Sequence, residues 1–161
     1  MEDRRHRYPV QLTWAGSQPG GDRPFKRHDR SYWLNAPGRP PIAGSSDPVF
    51  RGDAAKWNPE NLLVASLAAC HQLWYLGLCA EAGITVVAYD DAAEGVMTEE
   101  GAGGAGQFTE VILRPQVTLA PGSDVEAATA LHHVAHEKCF IARSVNFPVR
   151  HMPSISIAPS E

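Results

Sequence analysis

Between Asn58 and Gly83 lies a run of helix-forming, mostly apolar residues, and no other feature of the chain limits its fold so tightly. Asn58-Pro59-Glu60 reads as a helix start. An Asn N-cap is followed by a Pro at the first helical position, where its missing N–H costs nothing, and by an acid favoured by the helix dipole. The pattern predicts a helix to about Glu81 or Ala82 that stops at Gly83. At ~1.5 Å per residue it exceeds about 30 Å in length. Its apolar residues nearly encircle it, with His71, Gln72 and a few small polar groups as the interruptions. A helix apolar all round is buried on all sides, so in a chain of 161 residues it is expected to take part of its cover from a second subunit.

That length fits one domain, taken as residues 1–161. The net charge is −4 and the pI about 6.0, so nothing suggests a surface for nucleic acid or anionic membrane. Arg4, Arg5 and Arg7 are too few to argue otherwise and read as a solvated tail. No stretch approaches the ~20 apolar residues of a membrane span, and Met1-Glu2-Asp3-Arg4-Arg5 lacks an apolar signal core. The expected location is the cytosol. Three cysteines form an odd set in such a chain, which disfavours a structural disulfide framework and leaves buried, metal-binding or reactive thiols in competition.

Residues from about Tyr8 to Ala15 alternate like a strand, with Val10, Leu12 and Trp14 on one face. Gly16 to Pro24 is a turn-rich connection, and Ser31-Tyr32-Trp33-Leu34 restarts an extended pattern, so a hairpin is expected. Pro37 to Lys56, with Gly44-Ser45-Ser46-Asp47-Pro48, reads as a functional loop without a regular element. After the long helix, Ile84 to Tyr89 reads as a strand continuing past an acidic bulge through Ala92 to Met97. Phe108 to Leu113 with Val117 to Leu119 supplies its antiparallel partner across a glycine-rich turn from Glu99 to Gly106. Asp124 can cap a second helix through about Lys138, and Ile155-Ser156-Ile157 is a last strand. The plan is α+β, antiparallel sheet on helices.

The thiols carry the chemistry. Cys79 lies nine residues beyond Cys70, about 900° of rotation at ~100° per residue, and therefore on the opposite face of the same helix. Cys79 reads most economically as a small buried hydrophobe, which leaves Cys70 and Cys139 as the candidate pair. A peroxide-reducing dithiol needs one thiolate of lowered pKa, oxidised to a sulfenic acid, and a second thiol close enough to condense with it. Apolar surroundings alone leave a thiol inert, so a reactive Cys70 needs an arginine nearby. Arg51, Arg27 and Arg30 are candidates, and Glu60 could hold such an arginine through a carboxylate–guanidinium pair. Glu60 itself lies ten residues before Cys70, ~15 Å along one helix. Either an arginine spans that gap or a partner's helix brings its own Glu60 close; the bland alternative is that Glu60 only favours the helix dipole.

Metal is the rival reading. His132, His136 and Cys139 fall at i, i+4 and i+7 on one face of the second helix, with His133 adjacent, and with His71 they could assemble a zinc-like site. Neither an H-E-x-x-H pattern nor paired cysteines support it. Gly101-Ala102-Gly103-Gly104-Ala105-Gly106 lies between two strands, the context of a hairpin turn and not of a phosphate cradle.

With these residues assembled, the chain resembles the OsmC/Ohr superfamily of osmotically inducible and organic-hydroperoxide-resistance proteins over most of its length. Asn58-Pro59-Glu60-Asn61-Leu62-Leu63, ending in Ala68-Ala69-Cys70, looks like that family's helix entry and first cysteine. Cys139-Phe140-Ile141-Ala142-Arg143-Ser144 looks like the region of its second, and Gly44 through Asp53 is similar to the OsmC-like branch. The resemblance implies an OsmC-like fold, an intertwined homodimer with sheets wrapped around long central helices and active sites at the subunit interface. It implies that Cys70 attacks the peroxide, Cys139 resolves the sulfenic acid as a disulfide, and Glu60 orients an activating arginine, with Arg51 favoured over Arg27. No metal or flavin cofactor is implied. The expected activity is a thiol-dependent peroxidase acting on alkyl hydroperoxides and re-reduced by a dithiol, such as a lipoylated protein. The alternative is a non-catalytic protein that binds a small ligand, or a metal through His132, His136 and Cys139.

Overall fold

The computed structural model describes residues 4–16, 28–101 and 104–160. Arg27, the Gly16–Pro24 connection beyond Gly16, and the Ala102–Gly103 part of the glycine-rich turn lie outside the described residues. The chain divides into two compact units, Met1–Leu62 and Leu63–Glu161.

In the first unit the expected hairpin is present. Strand β1 (Gln11–Trp14) pairs antiparallel with β2 (Tyr32–Asn35), placing Leu12 opposite Leu34 and Trp14 opposite Tyr32. A third strand, β3 (Ile42–Gly44), adds to the other edge of β2 where the sequence reads as loop. Three residues behind two prolines are too short to show an alternating pattern; the open edge of β2 makes them a strand. Gly44 is required there, because a Cβ would lie inside the Tyr32 ring. The segment that follows is an ordered loop. Buried Ser45 donates its N–H to the Trp57 carbonyl (2.8 Å) and accepts at Oγ from the Asp53 amide (3.1 Å). Asp47 caps a single 3-10 turn, Pro48–Phe50, by accepting from the Val49 amide (2.8 Å).

Helix α1 spans Pro59–Glu81, and both of its ends follow the sequence reading. Asn58 Oδ1 accepts from the Asn61 amide (2.7 Å), and its Nδ2 donates to Asp47 Oδ2 (3.1 Å). At the far end Gly83 adopts φ 71°, while the Gly83 and Ile84 amides donate to the Ala80 and Cys79 carbonyls (3.2 and 2.8 Å). A left-handed residue at this point turns the chain out of the helix and satisfies carbonyls the helix leaves open.

One expectation about α1 needs correction. An 18-residue window within it reaches a mean hydropathy of 1.5, so by length and composition alone it does meet the measure of a membrane span; the polar interruptions are outweighed by the Ala, Leu and Cys around them. Within the single chain its burial is one-sided, and the cover expected from a second subunit lies outside that chain. The second unit covers one stripe, Leu67, His71, Tyr75 and Cys79, at successive i+4 positions.

That unit holds two mixed three-stranded sheets. The long hairpin expected after α1 is cut into two antiparallel pairs: β4 (Val86–Asp91) with β7 (Pro115–Leu119), and β5 (Glu94–Glu99) with β6 (Gly106–Leu113). The cut falls at the acidic bulge, where Arg114 binds across it. Its amide donates to Asp91 Oδ1 (2.7 Å) and its guanidinium to Glu94 Oε2 (2.9 Å). Helix α2 (Val125–Lys138) follows, with Asp124 Oδ1 accepting from the Ala127 amide (2.9 Å). The chain then returns as β8 (Val149–His151), parallel to β6, and β9 (Ser154–Ile157), parallel to β7. The sheets are therefore mixed, not purely antiparallel. Two apolar clusters result, one around Tyr75, Ile84, Val117, Leu119 and Ala128, the other around Leu67, Val111, Leu113 and Val149.

Candidate functional site

Cys70 lies midway along α1 and is half-buried; Cys139 is the C-cap residue of α2 and is buried. The two thiols are neighbours, near enough that Cys70 acts on the titration of Cys139. Burial, joined by the neighbouring Cys70 thiol, pushes the Cys139 thiol up to about 11, against the opposing pull of the Ala142 and Ile141 amides. The Ala142 amide points at Cys139 Sγ from 3.4 Å, a donor already placed to stabilise sulfur-centred charge. All three cysteines are reduced in this structure. Cys79 belongs instead to the apolar cluster beside Tyr75, and burial raises its pKa too. The helical arithmetic that set Cys79 apart from Cys70 thus agrees with their positions.

An aromatic pair follows the two cysteines in sequence. Trp74, one turn beyond Cys70, meets Phe140, the residue after Cys139, edge to face at 5.6 Å, and Lys138 Nζ lies 5.4 Å from the Trp74 ring centroid.

The acid expected to assist is in the first unit. Glu60, in the first turn of α1, has Oε2 buried without a hydrogen-bond partner among the described residues. Burial, with the Glu60 charge adding to it, raises the pKa of the Tyr32 phenol. Arg51 is exposed, at the C-cap of the 3-10 turn with φ 66°, its amide donating to the Pro48 carbonyl (2.9 Å). Tyr32 is a residue the sequence reading missed; its strand position gave no sign that it approaches an acid.

The histidines do not form the metal site considered from spacing. Among the described residues no group of three or more His, Cys, Asp or Glu side chains is arranged to hold a metal ion. Instead His71 Nε2 and His132 Nδ1 share a hydrogen bond of 3.0 Å between two fully buried, near-parallel rings. Tyr75 stacks on His132 at 3.8 Å, and His151 of β8 packs 5.7 Å from His71. Desolvation lowers His71 to about 4 and His132 to about 3, so both are neutral at physiological pH. His136 turns to His151 at 5.4 Å, and His133 pairs with exposed Glu137 (3.4 Å). Spacing along α2 placed His132 and His136 on one face but could not tell a stack from a coordination shell, and gave no sign of His151.

Away from these residues, an open groove of about 370 Å³ runs along Leu76, Ala80, Gly83, Ile84, Thr85 and Val86. It contains no thiol or imidazole.

The chain is α+β, with Cys70 on the long helix α1 and Cys139 at the end of α2. The chain belongs to the OsmC-like protein family, whose model matches residues 52–152. Among solved structures it is similar to an OsmC-like protein of unknown function from Vibrio cholerae, with 28% identity over 93% of this chain and 100% of that one, at a TM-score of 0.82. Two organic hydroperoxide resistance proteins share the fold. That of Elizabethkingia anophelis has 17% identity, 98% and 100% coverage and a TM-score of 0.69; that of Legionella pneumophila has 17% identity, 96% and 99% coverage and a TM-score of 0.64. No curated protein matches the sequence.

Proposed function

We propose that this protein is a cysteine-based peroxidase that reduces organic hydroperoxides. One observation carries the reading: two thiols 69 positions apart in sequence lie against one another, at the junction of α1 with the end of α2. The Cys70 thiolate attacks the outer oxygen of ROOH, forming the S–O bond as the O–O bond breaks, and the alkoxide leaves with a proton as ROH. Cys139 then attacks the sulfenic sulfur. An S–S bond forms, and hydroxide leaves as water with the Cys139 proton. A dithiol, such as that of a lipoylated protein, restores both thiols by exchange.

The half-buried position of Cys70 and the Trp74–Phe140 pair favour an alkyl hydroperoxide over hydrogen peroxide. An arginine, Arg51 in preference to Arg27, supplies positive charge to the thiolate, and the orphaned Glu60 oxygen is the acceptor that would hold it. A second copy of the chain completes the site by covering the outward face of α1, and the protein acts in the cytosol, where its thiols stay reduced.

The test is peroxide consumption with a dithiol reductant. Cys70→Ser should abolish turnover of an alkyl hydroperoxide, while Cys139→Ser should leave one round of peroxide reduction and let Cys70 proceed to the sulfinic acid. Full turnover by Cys70→Ser would sink the proposal.

A further inference from the structure

Two elements carry the dithiol. Apolar packing of Tyr75 and Cys79 with Ala128 and Ala135, the Tyr75–His132 stack, and the Trp74 contacts with Phe140 and Lys138 hold them together without a directional bond. The hydrogen bond between His71 and His132, both at 0% exposure, adds a directional one. His71 is the residue after Cys70, and His132 is seven residues, about two turns, before Cys139 on α2.

A polar pair at this depth has few acceptable arrangements. His71 sits in the buried stripe of α1 between Leu67 of one apolar cluster and Tyr75 of the other. If the shared hydrogen bond opens, both nitrogens join His71 Nδ1 and His132 Nε2, which already lack partners among the described residues. Each newly unpaired buried nitrogen bears the full cost of desolvation without a partner. An apolar contact tolerates sliding of one helix along another; a single donor–acceptor pair between stacked rings does not. The bond therefore selects one register of α1 against α2.

We propose that His71 and His132 are positioning residues that hold α1 and α2 in the register at which Cys139 faces Cys70, and so set how readily the disulfide closes. The proposal rests on the reading of Cys70 and Cys139 as a redox pair. It gives the imidazoles no contact with the peroxide.

The experiment equilibrates the full-length protein in glutathione redox buffers and measures the Cys70–Cys139 disulfide by mass spectrometry. Oxidised glutathione takes the two electrons and two protons as the S–S bond forms, so no peroxide chemistry is needed. The wild type should form this disulfide. His71→Leu and His132→Leu should each lower the equilibrium constant about tenfold or more, through loss of effective thiol concentration. His71→Gln and His132→Asn, which return a polar atom to the place of Nε2 and of Nδ1, should recover most of it. His71→Asn is the second arm should the leucine variants not fold: it is as polar as Gln but too short to reach, and should behave like Leu. Thermal melts run alongside separate register from stability. A purely structural role would lower the melting temperature of the Leu and Asn variants and leave the constant of the folded protein unchanged, which overturns the inference, as would a wild type that links other cysteines. Peroxide turnover is assayed separately. If wild-type turnover is absent while the disulfide equilibrium responds to the imidazoles, the peroxidase reading fails and the positioning role stands.

Discussion

The two faces of α1 meet different fates. One face presents Leu67, His71, Tyr75 and Cys79, all buried. The other presents Ala69, Leu73, Gly77 and Ala80, all exposed, with Leu73 69% open. Hydrophobicity does not sort them, since the buried stripe includes a histidine and a tyrosine and the exposed one is wholly apolar. Partners do. His71 is tolerated inside because His132 answers its nitrogen and neighbouring rings cover its faces, whereas Leu73 is left mostly exposed. This exposed apolar face is where the proposed second copy would pack.

The comparison is easiest to break on the buried side. Leu67→Ala should remove about 2–5 kcal/mol of stability, as truncation of a fully buried leucine does, read as a fall in the denaturant midpoint at constant slope. A loss below about 1 kcal/mol would mean the cluster around Leu67 collapses onto the space, and the stripe would be less decisive than its burial suggests.

Acid sharpens the same contrast. Folding lowers the pKa of His71 to about 4 and of His132 to about 3, from an ordinary value near 6.5. The unfolded chain then binds more protons than the folded one throughout that interval. Stability is complete above about pH 6.5 and declines as the pH falls towards 4, by up to about 1.4 kcal/mol per pH unit for each imidazole. A melting temperature that stays level between pH 7 and pH 4.5 in wild type would contradict buried, neutral rings. His132→Asn should flatten part of the slope.

The smallest effect is expected on the outer face. Leu73→Arg should change the stability of the isolated chain by no more than about 0.5 kcal/mol, yet halve the mass seen by sedimentation if a second copy covers α1. An unchanged mass would place the partner surface elsewhere.

Much of this architecture was readable in advance. Asn58, Pro59 and Gly83 act through local rules, a cap, a free first turn and a left-handed stop, so α1 begins and ends where its residues say. Asp124 does the same for α2. Cys79 fell away from Cys70 by helical phase alone. Other features depend on neighbours far away in sequence. β3 exists because β2 has an open edge, β8 and β9 because β6 and β7 do, and the break at Asp91–Glu94 is pinned by Arg114 from 20 or more positions downstream. The place of Tyr32 beside Glu60 could not be read from a strand pattern either.

The amino-acid sequence alone determined the two helices, their caps, the α+β class and the residues worth suspecting, because capping, periodicity and turn chemistry act over a few residues. Tertiary structure decided which suspects meet. It joined Cys70 to Cys139 and turned a metal-like histidine spacing into a hydrogen-bonded stack, since a thiol pair and an imidazole pair each require two elements to arrive at one place in one register. No local rule can specify that, and burial at that meeting point then sets the chemistry, raising the Cys139 thiol and keeping the imidazoles neutral.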